Sequence, residues 1–367
     1  MMNLQIPSVG VVEQHVHLGG AVPIHRLYEA AVDRGIRLPV QSYHEFANLL
    51  HRRRDNSGTL ERYLEIYEVA ERIQSGPQAV RESVLVALNG AARTGGSLAV
   101  DLEGEATTPD KQQLPIRALE LRFNPMKRNG NGIWDLDRVM LAACSAVNEI
   151  RTAYKGNLRA GLMVCLGRDL PFEENLILAK KVARWSEEGL PVVGLDLAGP
   201  ESSNSLKDPA RLEEMAELYR LAGSKVGRTI HCGETRAIDL ETFLSTVKTL
   251  EPERIGHPLT AVRAYCEDED SRGLKLMAER GITAELCMLS NLLTGAVQSI
   301  DSYRTILNAF DQFGIRYTFS TDAPSLQKST LAGEIGSLLQ SKAVRPEQVE
   351  QSFETAAQTT FLHRLVH

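Results

Sequence analysis

His15 and His17 close an apolar run that begins at Val9 in the segment SVGVVEQHVHLGG. Side chains two apart on a strand point to the same face, so both imidazoles can reach one metal ion from a single strand end. A lone His-x-His also fits two ordinary polar residues, so the weight comes from the other apolar runs. RTIHCGE, RIGHP and YTFSTDAP end at His231, His257 and Asp322. PVVGLDLAGPE carries Asp196 in the same place, followed by Ala198 and Gly199, and ITAELCMLSN is a further run of this kind. Three histidines and one carboxylate suit Zn²⁺, or another borderline divalent ion such as Co²⁺ or Fe²⁺. Water under such an ion loses a proton near neutral pH. Glu234 lies three residues past His231 and can face the site without binding the metal, as a proton donor or acceptor. His257 can accept a proton from the water or steady the oxyanion that forms. This set attacks an electrophilic sp² carbon, in an amide, an ester or an amidine-like C–NH₂ group.

The elements between these tips read as helices. Residues 23–34 open with Pro23, align Ile24, Leu27, Tyr28 and Ala31, and stop at Gly35. Asp208 and Pro209 start another helix, with Leu212, Met215, Ala216 and Tyr219 on one face. Such spacing and capping mark amphipathic helices. Strand, polar tip and helix in alternation predict an α/β protein with parallel strands. An open doubly wound sheet would gather its ligands at one switch point. Here the ionisable tips run from residue 15 to residue 322, and only a closed barrel brings the first and last strands together. The chain of 367 residues fits one elaborated (β/α)₈ TIM-type barrel, a single domain over 1–367. Two regions interrupt the rhythm. Residues 35–60 are polar and rich in His and Arg, and form either a lid over the first strand end or a plain connection. Residues 97–115 carry the run SLAVDLE, expected to pair as an extra hairpin with the barrel strand RALELRF and to offer an oligomer contact.

Bulk properties set limits. The formal net charge of −6 and a pI near 5.9 leave no basic footprint for nucleic acid. The short cluster Arg52-Arg53-Arg54 reads as a solvated helix end or loop. Five cysteines without a C-x-x-C pair read as reduced thiols, which with the lack of an evident signal peptide predicts a cytoplasmic protein. No apolar run approaches the ~20 residues that span a membrane. Cys232, Trp134 and Trp185 read as packing residues, and Asp101 and Glu103 as solvated ones. No role falls to His25, His44, His51, His363 or His367.

In chain order, HVHLGGA, LDLAGPE, TIHCGE, RIGHP, AELCMLSNLLTGAV and STDAP resemble the adenosine deaminase family of the amidohydrolase superfamily. The resemblance covers essentially the whole chain. It implies one Zn²⁺ per chain, held by His15, His17, His231 and Asp322. It implies Glu234 as the acid that protonates N1 of a 6-aminopurine, and His257 with Asp322 as the group that orients and deprotonates water. Gly199 would offer its backbone N–H to ring N3, and Asp196 would support the ligands from behind. His17 and positions 19 and 323 would also lie beside the substrate. Water would add at C6 and ammonia would leave. The alternative deaminase signature, H-x-E with P-C-x-x-C, is absent. No Lys stands in GLMVCLGRDL or VVGLDLAGPE to bridge a second metal.

Four positions depart from the family pattern: Gly19 and Ala323 where Asp is usual, Pro258 where Gly is usual, and Met288 where Pro is usual. A hydrogen bond to a charged group is worth roughly 1.5–3 kcal/mol. Losing two predicts a ~10²–10⁴ loss on adenosine itself. Gly19 would leave room for a bulkier or anionic 5′ group, and Ala323 implies a changed environment at N7. The expected substrate is therefore a small aminopurine other than plain adenosine, with no nucleic-acid or membrane partner. The alternatives are another cyclic C–N hydrolase of the superfamily, or a binding protein that has lost catalysis.

Overall fold

The computed structural model describes residues 4–8, 10–53, 58–94, 114, 116–130, 135–203 and 206–365. Its strands are β1 (Val11–His17), β2 (Ile116–Phe123), β3 (Arg159–Gly167), β4 (Val192–Ala198), β5 (Gly227–His231), β6 (Arg254–Gly256), β7 (Thr283–Leu286) and β8 (Tyr317–Phe319). They pair in sequential order, each parallel to the next. A bridge between Val16 and Asp322 joins the last strand's exit to the first strand. This is the nearly closed β/α barrel that the spread of ionisable tips predicts. At least one helix lies between each pair of successive strands, and β1, β3 and β4 are buried along nearly their whole length.

The predicted helices form at Ile24–Asp33 and Pro209–Ala222, the second capped by the Asp208 carboxylate. RALELRF is β2, as its pattern suggests. The SLAVDLE run, with Asp101 and Glu103, lies outside the described residues, and so do Trp134, Arg54 and His367. Trp185 is buried and its indole N–H donates to Asp137.

Two expectations change. Region 35–60 holds a helix, Tyr43–Leu50, started by a Ser42–Glu45 capping box. Tyr43 and Phe46 pack on Tyr28 at 5.4 and 5.5 Å between ring centroids. The region thus buttresses helix Ile24–Asp33, and among its described residues only Leu60 reaches the central cavity. Arg52 is not solvated. It is buried, and its guanidinium donates to the carbonyls of Arg62 and Tyr63 at 2.7 and 3.3 Å, tying this region to helix Leu60–Ile73.

The barrel interior is ionic. Arg122 of β2 bonds Asp196 of β4 and Glu285 of β7, each at 3.0 Å. Arg254 of β6 bonds Glu120 of β2 at 2.5 Å and Glu285 at 2.8 Å. Removing one partner of such a network leaves a buried charge uncompensated, at a cost of about 3–5 kcal/mol. The network ties β2, β4, β6 and β7 together beneath the strand tips.

Candidate active site

Every chemistry-bearing residue sits at or just beyond the C-terminal end of a strand, where loops of this fold can vary without disturbing the core. His15 and His17 come from β1, His231 ends β5, His257 follows β6 and Asp322 follows β8. Barrel closure itself fixes the last of these. His17 N–H donates to the Asp322 carbonyl at 2.8 Å, and Asp322 N–H donates to the His15 carbonyl at 3.0 Å. His257 and Asp322 both hold left-handed backbones, with φ of 54° and 62°. Such a conformation costs about 1–3 kcal/mol in a residue with a side chain, and persists where the surroundings impose it.

The ring nitrogens converge. His17 Nε2 lies 3.1 Å from His231 Nε2 and 3.6 Å from Asp322 Oδ1. The rings of His15 and His231 are 4.6 Å apart. Three overlapping donor groups form among His15, His17, His231, His257, Asp196 and Asp322, with donor atoms within 4.8 Å of one another. His15 Nε2 is buried without a hydrogen-bond partner among the described residues. Burial, then Arg122, holds the His15 ring well below the usual imidazole range, and burial, then His231, does the same for His17. Neutral imidazoles with lone pairs converging on one point, plus a carboxylate oxygen, fit a divalent transition metal.

The groups behind these donors fix their orientation. Glu285 Oε2 meets His15 Nδ1 at 2.7 Å, and Asp196 Oδ1 meets His231 Nδ1 at 3.2 Å. A carboxylate at Nδ1 places the ring proton there and turns the Nε2 lone pair to the site. Burial raises the Asp196 carboxyl, but His231 and Arg122 outweigh it and hold the group well below the usual range. Ser290 donates to Asp322 Oδ2 at 2.6 Å.

Glu234 stands on the turn after β5. Burial first, then Glu201 and Asp322, push its carboxyl up to about 8. Thr294 donates to its Oε1 at 2.8 Å, which leaves Oε2 to carry a proton. Glu201 anchors the turn, accepting the N–H groups of Gly233, Glu234 and Thr235 at 2.7, 3.0 and 2.6 Å. His257 Nδ1 meets Asn291 Oδ1 at 2.7 Å, while Asn291 Nδ2 donates to Tyr303. Asn291 Oδ1 can only accept, so Nδ1 of His257 carries the proton and Nε2 is the basic nitrogen.

Sequence reasoning passed over most of these supports. Helix Met288–Leu293 and the residue after it serve three site residues at once: Ser290 serves Asp322, Asn291 serves His257 and Thr294 serves Glu234. The departure at Met288 is the buried first residue of this helix, and Pro258 precedes helix Leu259–Asp268. Glu201 closes the LDLAGPE run, and its position at a strand exit was the available signal. Glu285 and Arg122 carried no such signal, since nothing in their own segments names a distant partner.

The central cavity measures about 260 Å³. His17, Gly199, Glu234, His231, His257 and Asp322 line it, whereas Asp196 lies behind His231. Gly199 has φ of 106°, a conformation suited to glycine, and its carbonyl accepts from Arg168 at 2.9 Å. Cys232 is buried and belongs to none of the donor groups.

Position 19 faces the cavity as expected, whereas position 323 does not. Gly19 lines the cavity, but a Cβ there would lie 2.7 Å from Tyr67 Cδ1 and 3.3 Å from Arg128 Nη2, so the tyrosine ring takes up much of the space that the missing carboxylate leaves. Ala323 is fully buried against Gly20 and is not part of the cavity wall. Gly19→Asp will therefore lower stability by about 1–3 kcal/mol through overpacking, and will reduce adenosine turnover. Thermal melts and ammonia release check both, and a variant that melts like the wild type and turns over adenosine faster would show that the ring moves aside freely.

The family profile described as adenosine deaminase matches residues 11–364. An adenosine deaminase from Clostridium botulinum (strain Loch Maree / Type A3) is 24% identical over 326 residues, which is 88% of this chain and 84% of the relative. Among solved structures, an adenine deaminase from Arthrobacter aurescens superposes with a TM-score of 0.76 at 17% identity, covering 97% of this chain and 98% of that one. The Arabidopsis N6-mAMP deaminase gives 0.72 at 18%, covering 96% and 94%. The match runs from the first barrel strand past the last, across every donor at the strand tips, and the chain therefore belongs to the adenosine deaminase family of metal-dependent amidohydrolases, enzymes that deaminate aminopurines.

Proposed function

We propose that this enzyme deaminates an uncharged 6-aminopurine, a nucleoside or free base, with one Zn²⁺ held by His15, His17, His231 and Asp322. When bound, the ion supplies Lewis acidity that lets water lose a proton near neutral pH. Glu234 donates its proton to ring N1, which makes C6 electrophilic. His257 takes a proton from the attacking water, whose oxygen bonds to C6. The C6–N bond then breaks as His257 returns its proton to the amine and ammonia leaves; the C6 hydroxyl gives its remaining proton back to Glu234, which leaves a 6-oxopurine protonated at N1. The Gly199 N–H holds ring N3. Asp196 keeps His231 in the tautomer its role requires. The observation that carries this reading is Glu234, a buried carboxyl raised to about 8 in the same cavity as the metal donors.

Charge narrows the substrate. Glu61, Glu65 and Glu68 line the cavity from helix Leu60–Ile73 and are exposed. The lining cations already have partners: Arg122 with Asp196 and Glu285, Arg128 with Glu71, Lys127 with Asp169. Arg168 turns its guanidinium to the carbonyls of Gly199 and His231. A 5′-phosphate would meet three exposed carboxylates and no uncommitted cation among the described residues. The substrate thus differs from that named for the Arabidopsis neighbour.

Ammonia release by the zinc-loaded protein tests this, with adenosine, 2′-deoxyadenosine, adenine, uncharged 5′-modified adenosines and AMP, and His15→Ala as control. The nucleosides or the base should exceed AMP by about tenfold or more in kcat/KM at low salt. Preference for AMP would overturn the charge argument and keep the deaminase. Silence on all substrates with metal bound would point to another C–N hydrolase, and silence without metal to a binding protein.

A further inference from the structure

One buried carboxyl stands behind the helix that serves the reacting groups. Helix Met288–Leu293 is six residues long. It puts Ser290 on Asp322 at 2.6 Å and Asn291 on His257 at 2.7 Å, and Thr294 just beyond it meets Glu234 at 2.8 Å. A metal-binding carboxylate, the base and the acid thus take their orientation from one short element. The first four N–H groups of any α-helix find no partner within it. In a helix this short they are most of the element, so what holds its start decides where it sits.

The usual local devices are missing there. The N-cap is Cys287, which makes no side-chain capping bond, and a thiol is a weak acceptor. The first turn holds no acidic residue. Met288 is the first residue, where proline would fix φ and bring no N–H that needs a partner.

The acceptor comes instead from 45 residues further along. Glu334, buried in the first turn of helix Leu331–Gln340, accepts the Leu289 N–H on Oε2 at 3.2 Å. Its Oε1 accepts from the Ser329 hydroxyl at 3.1 Å, which steadies the carboxyl from the other side. Its own helix is started by Thr330, whose hydroxyl accepts the Gly333 N–H at 3.0 Å. Glu334 neither lines the cavity nor belongs to a metal-donor group, so it meets neither substrate nor metal directly.

We propose that Glu334 is a positioning residue of this enzyme: by holding the start of helix Met288–Leu293 it aligns Asp322, His257 and Glu234 for the reaction. The inference rests on the roles given to those three groups above. A displacement of about 1 Å at reacting groups costs on the order of 10²-fold in rate, and here one contact governs three groups at once.

The test compares Glu334→Leu, Glu334→Gln and Glu334→Asp with wild type, zinc-loaded, on the aminopurine that wild type turns over fastest, below each melting temperature. Leucine keeps the bulk and loses both acceptors. It should lower kcat per bound metal by about 10- to 100-fold, with KM within about threefold of wild type. Glutamine can accept from Leu289 through its amide oxygen and donate to Ser329 without a charge. It should bring kcat back to within about threefold of wild type, which separates the hydrogen bond from any field of the carboxylate. Aspartate keeps the carboxyl on a shorter arm that withdraws it from Leu289, and its loss should fall between the two. A glutamate that only supports the fold would lower the melting temperature of the leucine variant and leave kcat per bound metal unchanged. That result, or a glutamine variant as slow as the leucine one, overturns the proposal. Where the leucine variant shows no cooperative melt, the aspartate variant decides: wild-type kcat overturns the proposal, and a lower kcat at unchanged KM supports it. A wild type that holds metal and deaminates no aminopurine overturns the deaminase reading, whereas this proposal fails against an active wild type, so the two failures are distinct.

Discussion

His17→Ala will empty the metal site and lower kcat/KM for any aminopurine by more than about 10⁴. His17 is the hub of the donor cluster, 3.1 Å from His231 Nε2 and 3.6 Å from Asp322 Oδ1. Its backbone also closes the barrel through the Asp322 carbonyl, a contact alanine retains, so the fold should survive. Metal content by atomic absorption and ammonia release read the two effects. The wild-type protein stripped by a chelator should lose activity in parallel and melt lower, because a ligand bound to the native state at 100 times its Kd contributes about 2.7 kcal/mol. Readdition of Zn²⁺ should restore both. Activity that survives in a metal-free preparation would exclude the assigned donor set.

Glu234→Gln will lower kcat by about 10²–10⁴ while metal content and KM stay close to wild type. Glutamine keeps the size and the Thr294 contact but cannot give a proton. The pH dependence follows from the same group. Burial, Glu201 and Asp322 raise its carboxyl from the usual carboxylate range to about 8. The protonated form is the active one, so this contribution to kcat/KM is present below about 8 and falls as pH rises through it. The alkaline limb should be missing from the Glu234→Gln profile. A variant with wild-type kcat, or one that keeps the same alkaline limb, would move the acid role to another residue.

The donors were legible in the sequence for a local reason. A strand alternates faces with period two, so His15 and His17 share a face wherever the strand is placed. Apolar runs that end in His231, His257 and Asp322 mark strand exits, and parallel strands put all exits on one side. Helices such as Pro209–Ala222 were readable from caps and spacing. The supports were not. Arg122 reaches Glu285 across 163 residues of sequence, and His15 meets that same carboxylate across 270. A Glu or Arg inside a strand segment reads as solvated until barrel closure turns it inward.

The sequence by itself determined which chemistry is available: three imidazoles, a carboxylate and an acid at the ends of successive parallel strands, in a chain that must close to unite its first and last. Only the tertiary structure decided how that chemistry is tuned and what shape it meets. Glu234 becomes an acid because burial and two neighbouring carboxylates disfavour its charge. Gly19 reads as a gap in the sequence, yet the Tyr67 ring takes up much of it from a helix 48 residues further along. Residue type fixes what a group can donate or bind, which is local information. Desolvation and close packing depend on which distant segments arrive at the same point, and that is settled when the barrel closes.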